Sequence, residues 1–363
     1  MRDEGDEEPG DPSAVDPGNA SAESAPAVSS SPQPQHPPSP TPVRLGVLGA
    51  GRRGTALAHA AARVPGVSIV AVGDDDVAHA AELAEEWDAT SYSLWQSMLI
   101  FEQLDAIVIA TPSAVHAEQV LTALDQGMHV YVEKPPALDN GMAQRIAEAA
   151  TARNRIVHVG FQHRYSSLVA PWFQALEGRA VSLVHAHLYQ GVPEGSDGEN
   201  PALCGGQTMG QAMHLLDLCR FLVDDITAVA AFSGQALWRD RPDWRGADST
   251  AVALQFASTA TGTLSMTYGL PLAIPGHLAL DVVAEGPLLL RFTGADLQVV
   301  TESGVESWAL EEPPDFAAMA TFLEAVRSGD RSALRVPYDD AVQTLRVALA
   351  CNEAAEQGRI VRL

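Results

Sequence analysis

Residues 43–54 read VRLGVLGAGRRG, and twenty residues past the last of these glycines the chain reads Asp74-Asp75-Asp76. Val43–Leu48 is an apolar run of strand length. Gly49, Gly51 and Gly54 follow as a G-x-G-x-x-G turn, and Thr55–Val64 has the Ala-rich texture of a helix. A second apolar run, Val67–Val72, leads to the acids. Strand, glycine turn, helix, then an acid closing the next strand predict a dinucleotide-binding βαβ unit. The first glycine permits the tight turn and the second lets the backbone approach a pyrophosphate. The third lets the helix pack on the strand, and the helix N-terminus offers free N–H groups to phosphate. Asp74 is placed to accept hydrogen bonds from both ribose hydroxyls. With Asp75 and Asp76 beside it a 2′-phosphate is disfavoured, so NAD is expected in preference to NADP. Arg52 and Arg53 weigh the other way, since arginines in this loop can meet a 2′-phosphate; they are otherwise expected in solvent or against adenine and pyrophosphate.

Outward from this unit the alternation continues. A helical stretch at Val77–Trp87, apolar Asp105–Ala110, a helix through Leu124, His129–Val132, a helix from Asn140 and a strand at Ile156–Gly160 predict a doubly wound parallel sheet, an α/β Rossmann domain over residues 43–160. Past Phe161 the period changes to two, at Val181–Tyr189, Ala228–Ser233, Thr250–Phe256 and Leu278–Val283. Helical patterns at Gly210–Leu222, Phe316–Ser328 and Asp339–Gln357 flank these strands. Residues 161–363 are therefore expected to form an α+β domain with a largely antiparallel open sheet, serving substrate binding and oligomerisation. Residues 1–42, rich in Pro, Ser and Ala and holding eight acids against one arginine, are expected to be a disordered tail.

Composition limits the function classes. A net charge of −24 over 363 residues argues against nucleic acid or an anionic membrane as partner. Three cysteines, Cys204, Cys219 and Cys351, make no C-x-x-C pair, and no export signal or bilayer-length apolar run is evident, so a cytoplasmic protein is expected. His185 and His187 alternate on one strand without a third ligand pattern, and no metal is expected. The open sheet face predicts a homodimer or homotetramer.

Three further stretches carry a family resemblance: Ala110-Thr111-Pro112-Ser113-Ala114-Val115-His116, Gly127-Met128-His129-Val130-Tyr131-Val132-Glu133-Lys134-Pro135, and Gly206-Gln207 upstream of His214-Leu215-Leu216-Asp217. With the glycine turn they resemble the Gfo/Idh/MocA oxidoreductases, the family of glucose–fructose oxidoreductase and inositol dehydrogenase. The resemblance runs from Val43 to the C-terminus. It implies NAD(P)-dependent redox chemistry on a sugar, polyol or related hydroxyl compound. It also implies a lysine in contact with the cofactor and the reacting oxygen, followed by a proline that is commonly cis.

Lys134 stands out on the residues alone: it is the only lysine among 22 Lys and Arg residues. It sits at the C-terminal end of a parallel strand, where ligands bind in such sheets, and an amine can lose a proton on burial where a guanidinium cannot. His214 is the expected acid–base residue, since an alcohol yields hydride only as its hydroxyl proton departs. Asp217, one turn on, is expected in or near the substrate pocket, or in a structural hydrogen bond. Thr111, Pro112, His116, Glu133 and Arg164 are expected around the cofactor. Arg164 is equally a candidate for an ion pair at the interdomain joint, with Gln162 and Tyr165 secondary. One departure stands against the resemblance. The family's dehydrogenases carry an acid four residues before the histidine, and this chain has Gly210 there. That leaves open a dinucleotide-binding sensor without turnover, or redox-neutral elimination or hydrolysis on a sugar.

Overall fold

A computed structural model describes residues 42–192, 201–240 and 244–363. The tail expected over 1–42 lies, but for Pro42, outside them. Six parallel strands form the first sheet: β1 (Val43–Leu48), β2 (Val67–Gly73), β3 (Thr90–Tyr92), β4 (Ala106–Ile109), β5 (His129–Val132) and β6 (Val157–Val159). Their order is β3-β2-β1-β4-β5-β6, so the chain reverses direction across the sheet between β1 and β4. That reversal opens a crevice at the strands' carboxyl ends. Helices α1 (Arg52–Ala62), α2 (Val77–Glu85), α3 (Trp95–Phe101), α4 (Ser113–Asp125) and α5 (Asn140–Ala152) connect the strands. β4 is buried at every residue, as a strand covered on both faces must be. The doubly wound parallel sheet expected from the alternation is present.

The chain then passes through a 3₁₀ turn, Gln162–Tyr165, and α6 (Val169–Leu176) into a nine-stranded sheet. Its strands are β7 (Val181–Tyr189), β8 (Ile226–Gly234), β9 (Ser249–Phe256), β10 (Thr261–Thr267), β11 (His277–Ala284), β12 (Leu288–Phe292), β13 (Asp296–Thr301), β14 (Gly304–Ala309) and β15 (Val361–Arg362). The order is β14-β13-β12-β11-β7-β10-β9-β8-β15, and only β7 and β10 pair in parallel. The largely antiparallel sheet is as expected. Strands β12–β14 were not anticipated: β12 and β13 are short though their burial alternates, and β14 is exposed at nearly every position.

Between β7 and β8 lie α7 (Pro201–Cys204), a π turn at Thr208–Ala212 and α8 (Met213–Leu222). A continuous helix from Gly210 was expected, and the π turn replaces its first turn. The last helices are α9 (Pro314–Ser328) and α10 (Tyr338–Gln357). α10 packs on α8 and β8, as a helix flanking the second sheet should. α9, expected beside that sheet too, packs instead on α1, β1 and the 3₁₀ turn. Ala318, Met319 and Phe322 are its fully buried residues. Their spacing marks an apolar face without naming the surface it covers. Among the described residues no helix is long and apolar enough to cross a membrane.

Candidate active site

At the end of β1 the backbone of Gly49 turns with φ +94°, and a Cβ there would lie 2.6 Å from the carbonyl carbon of Ala110. A Cβ on Gly54 would fall 1.7 Å from the Gly49 carbonyl oxygen, so α1 can approach β1 only without a side chain there. Gly51 differs: a Cβ would meet nothing within 4 Å. Its α-carbon borders a cleft of ≈ 690 Å³ that also touches Arg52, Asp74, Thr111, Pro112 and Leu203. No side chain caps α1. Its first N–H groups thus remain for a ligand, and the positive end of the helix dipole faces the cleft. An open cradle at Gly51, uncapped amides and a carboxylate at the far wall fit the pyrophosphate and ribose of a dinucleotide.

Asp74 is oriented in advance. Its Oδ2 accepts from the Ala50 N–H at 2.6 Å and its Oδ1 from the Asp76 N–H at 2.8 Å. The second lone pair of each oxygen stays available for ribose hydroxyls. The two arginines of the turn part ways. Arg52 is exposed and lines the cleft beside Asp74, Asp75 and His79. Arg53 turns inward: its Nε donates to Glu133 Oε1 at 2.6 Å and its Nη2 to Asp315 Oδ1 at 2.6 Å. It ties the glycine turn to the end of β5 and to the start of α9. The geometry thus engages Arg53 and Glu133 with each other; Arg53 also borders the cleft, and Glu133 does not.

On the opposite wall Thr111 donates its hydroxyl to Gln119 at 2.6 Å, and Pro112 occupies the N-cap of α4. His116 is buried with both ring nitrogens against carbonyls, Nδ1 to Pro135 and Nε2 to Thr111, each at 2.7 Å. Burial lowers its pKa, with the two carbonyls and Glu133 opposing. The ring links the loop after β4 to the loop after β5 and is not part of the cleft surface.

Lys134 follows β5, and the Lys134–Pro135 peptide is cis. Its Nζ donates to the Gly210 carbonyl at 2.6 Å. The sole lysine of the chain is therefore held against the π turn, four residues before His214. The His214 ring meets His163 edge-on at 5.5 Å and Phe161 at 6.2 Å between centroids. Its Nδ1 is buried without a hydrogen-bond partner. Burial, then the Lys134, His163 and Arg53 charges, holds the imidazole well below its ordinary pKa, so it is neutral. Burial likewise lowers the pKa of Lys134, with Glu133 opposing.

Arg164 and Asp217, the remaining candidates, meet each other. Arg164 Nε and Nη2 donate to the two Asp217 oxygens at 2.8 and 2.6 Å, and their side chains are 4% and 2% exposed. Thr344 donates to Asp217 Oδ1 at 3.0 Å, and Arg164 Nη1 also reaches the Arg335 carbonyl and Asp340. Burial raises the Asp217 pKa while Arg164 and Thr344 pull it down. The bidentate geometry keeps it a carboxylate. Of the two readings open for each residue, the geometry favours the structural one. Arg164 stands in the joint between the 3₁₀ turn, α8 and α10 rather than at the cofactor. Asp217 spends its acceptors there and has no free face toward Lys134.

Sequence reading passed over several residues that the fold brings in. Trp95, His79 and Leu203 also border the cleft. Cys204 and the Tyr268 hydroxyl flank Gly210, 3.7 and 3.8 Å from where its Cβ would be. Only Trp95, an aromatic opening a short helix after the acid cluster, left a usable signal.

Against known proteins, residues 43–161 match the family model described as "Oxidoreductase family, NAD-binding Rossmann fold", and residues 178–282 match the "GFO/IDH/MocA C-terminal domain". Inositol 2-dehydrogenase 3 of Saccharopolyspora erythraea is 32% identical over 186 residues, which is 50% of this chain and 54% of that protein. That match spans about half of the relative. The scyllo-inositol 2-dehydrogenase (NAD(+)) of Bacillus subtilis is 26% identical over 346 residues, covering 88% of this chain and 96% of its own. Levoglucosan dehydrogenase in complex with NADH superposes with a TM-score of 0.79 at 20% identity, covering 89% of this chain and 99% of that one.

Proposed function

The chain belongs to the Gfo/Idh/MocA oxidoreductase family, and from that premise we propose that it is an NAD-dependent dehydrogenase acting on a hydroxyl of a sugar, polyol or related compound. The observation that carries this reading is the 2.6 Å hydrogen bond from Lys134 to Gly210. It draws the lysine from the end of a Rossmann strand to the turn that leads into His214, which supports a reading in which the two protonatable groups serve one reacting position. Gly210, whose missing acid left room for a protein without turnover, thus gives Lys134 a partner through its backbone.

NAD bound in the cleft supplies a two-electron hydride acceptor. The chain's own part is to bind and orient. The α1 amides and Gly51 take the pyrophosphate, Asp74 takes the ribose hydroxyls, and Thr111 and Pro112 line the nicotinamide side. Lys134 and His214 each reach the oxygen of the substrate and steer its proton. Arg53, Glu133 and His116 hold the loops on which this depends. NADH absorbance on mixing the protein and NAD with inositols, hexoses and aldoses is the direct test. NAD binding without turnover of any of them, in wild type and Lys134→Ala alike, refutes the dehydrogenase.

We further propose a cytoplasmic homodimer or homotetramer joined through the open face of the second sheet. On β7, β9 and β10 that face carries Leu183, His185, His187, Ala251, Ala253 and Thr263 among its residues, and no carboxylate, in a chain with 46 acids. Beside them Phe232 is 79% exposed. On the same face Asp281 of β11 lies opposite His185 and pairs with Arg291 of β12, and a bare apolar ring beside the carboxylate-free part of an acidic protein favours a second copy as its cover. Light scattering on a sizing column tests it, with Ala253→Arg expected to yield monomer.

A further inference from the structure

Two groups beside the cleft can receive the proton that a substrate hydroxyl loses, and they differ in what becomes of their charged forms. If His214 takes it, both ring nitrogens carry hydrogen. Its Nδ1 is enclosed with no acceptor, and the groups facing the ring are Lys134, His163 and Arg53. The imidazolium would have a stranded N–H and, with Arg53 among the groups facing it, no counter-charge, and a buried donor left unpaired costs its full desolvation. A neutral ring with hydrogen on Nε2 avoids this and can still donate one hydrogen bond to the oxygen of the substrate.

Lys134 is arranged differently. The titratable groups facing it are Glu133, Arg53, Cys204 and His214. Glu133 is the nearby carboxylate, and its Oε1 is held by Arg53 at 2.6 Å, while Arg53 also pairs with Asp315. Among the described residues Lys134 makes no ion pair. Its partner is the carbonyl of Gly210, at a π turn, a distortion that recurs at functional sites. A neutral acceptor serves the amine and the ammonium alike, since each keeps an N–H for it.

We propose that Lys134, rather than His214, takes up the hydroxyl proton of the substrate, because its amine is held by the neutral carbonyl of Gly210 and by no carboxylate. The assignment rests on the dehydrogenase reading above. In the oxidative direction the substrate's C–H bond breaks with both electrons leaving as hydride to the nicotinamide. The O–H bond breaks with its electrons forming the C=O, and the proton forms an N–H bond on the Lys134 amine. The ammonium returns that proton to water once the ketone has left. His214 donates to the oxygen without changing charge.

Because Lys134 is the only lysine, protein grown on ¹³Cε-lysine has a single side-chain resonance whose pH titration needs neither cofactor nor substrate. The expected midpoint lies below the ordinary lysine value of ~10.4, because burial disfavours the ammonium. In Gly210→Asp it moves up by about one unit or more, since a carboxylate within about 4–6 Å favours the ammonium. The substitution is sterically open. The backbone at Gly210 is not left-handed, and a Cβ would make only ordinary contacts with Cys204 and Tyr268. The acid limb of the rate profile follows the same midpoint, so Gly210→Asp is slower at neutral pH. His214→Asn lowers the rate but leaves that limb in place. A wild-type midpoint at or above ~10.4, a faster Gly210→Asp enzyme at neutral pH, or loss of the limb in His214→Asn overturns the assignment. Absence of turnover on every polyol instead overturns the dehydrogenase reading, independently of the lysine midpoint.

Discussion

Replacing Asp217 by Asn distinguishes a joint from a catalytic group. In the folded protein the Asp217 oxygens take two short hydrogen bonds from Arg164 and one from Thr344, with both members of the ion pair at most 4% exposed. Asn keeps the volume but removes the charge and turns one acceptor into a donor facing the guanidinium. Arg164 retains Asp340, the Arg335 carbonyl and the face of Phe221, 4.8 Å away, as partial compensation. Removing one partner of a buried ion pair costs about 3–5 kcal/mol, and the remaining contacts of Arg164 point to the lower half of that range. Near 2 °C per kcal/mol, suited to a large domain, the thermal midpoint falls by roughly 6–8 °C. Differential scanning fluorimetry reads this directly. NAD affinity, measured by titration calorimetry well below the new midpoint, should stay within about twofold, since the pair lies away from the cleft. The double variant Arg164→Met with Asp217→Leu should recover part of the loss, because an apolar pair of similar volume frees both charges from burial. A midpoint within 2 °C of wild type combined with abolished turnover would refute the joint and return Asp217 to the reacting groups.

Asp74→Ala removes the carboxylate that meets the ribose and also frees the Ala50 and Asp76 amides it holds. NAD binding should weaken by about tenfold or more while NADP binding changes little or improves, and the ratio of the two dissociation constants measures it. His116→Leu removes the ring that bridges the Thr111 and Pro135 carbonyls, and the one that receives its single N–H loses its donor. Stability should drop by about 1–3 kcal/mol in denaturant titration, with a raised KM for NAD, because the loops after β4 and β5 lose their link. An unchanged KM would place that link outside the site.

The reach of the sequence ends at an identifiable boundary. The glycine turn, Asp74, the alternation to Gly160 and the isolated Lys134 are local patterns. Each follows from rules of the backbone within a few residues: left-handed glycine, uncapped helix N-terminus, period two against period 3.6. The parallel sheet and the dinucleotide cleft were legible because such rules are nearly independent of the rest of the chain. So was the presence of a second sheet, though not β12–β14, of which β12 and β13 are short and β14 is exposed at nearly every position. What could not be read is every contact between segments far apart in sequence. Arg53 was expected toward solvent or the cofactor, and it closes on Asp315, 262 residues away. Arg164 and Asp217, each a site candidate, satisfy each other across 53 residues. Gly210 read as a loss, because a one-dimensional pattern registers the missing carboxylate and not the carbonyl that remains. Local geometry is encoded where it occurs. The partner of a buried charge is chosen by whichever surface packs against it, and here the packing of α9 on α1 and of α8 against α10 and the 3₁₀ turn made that choice.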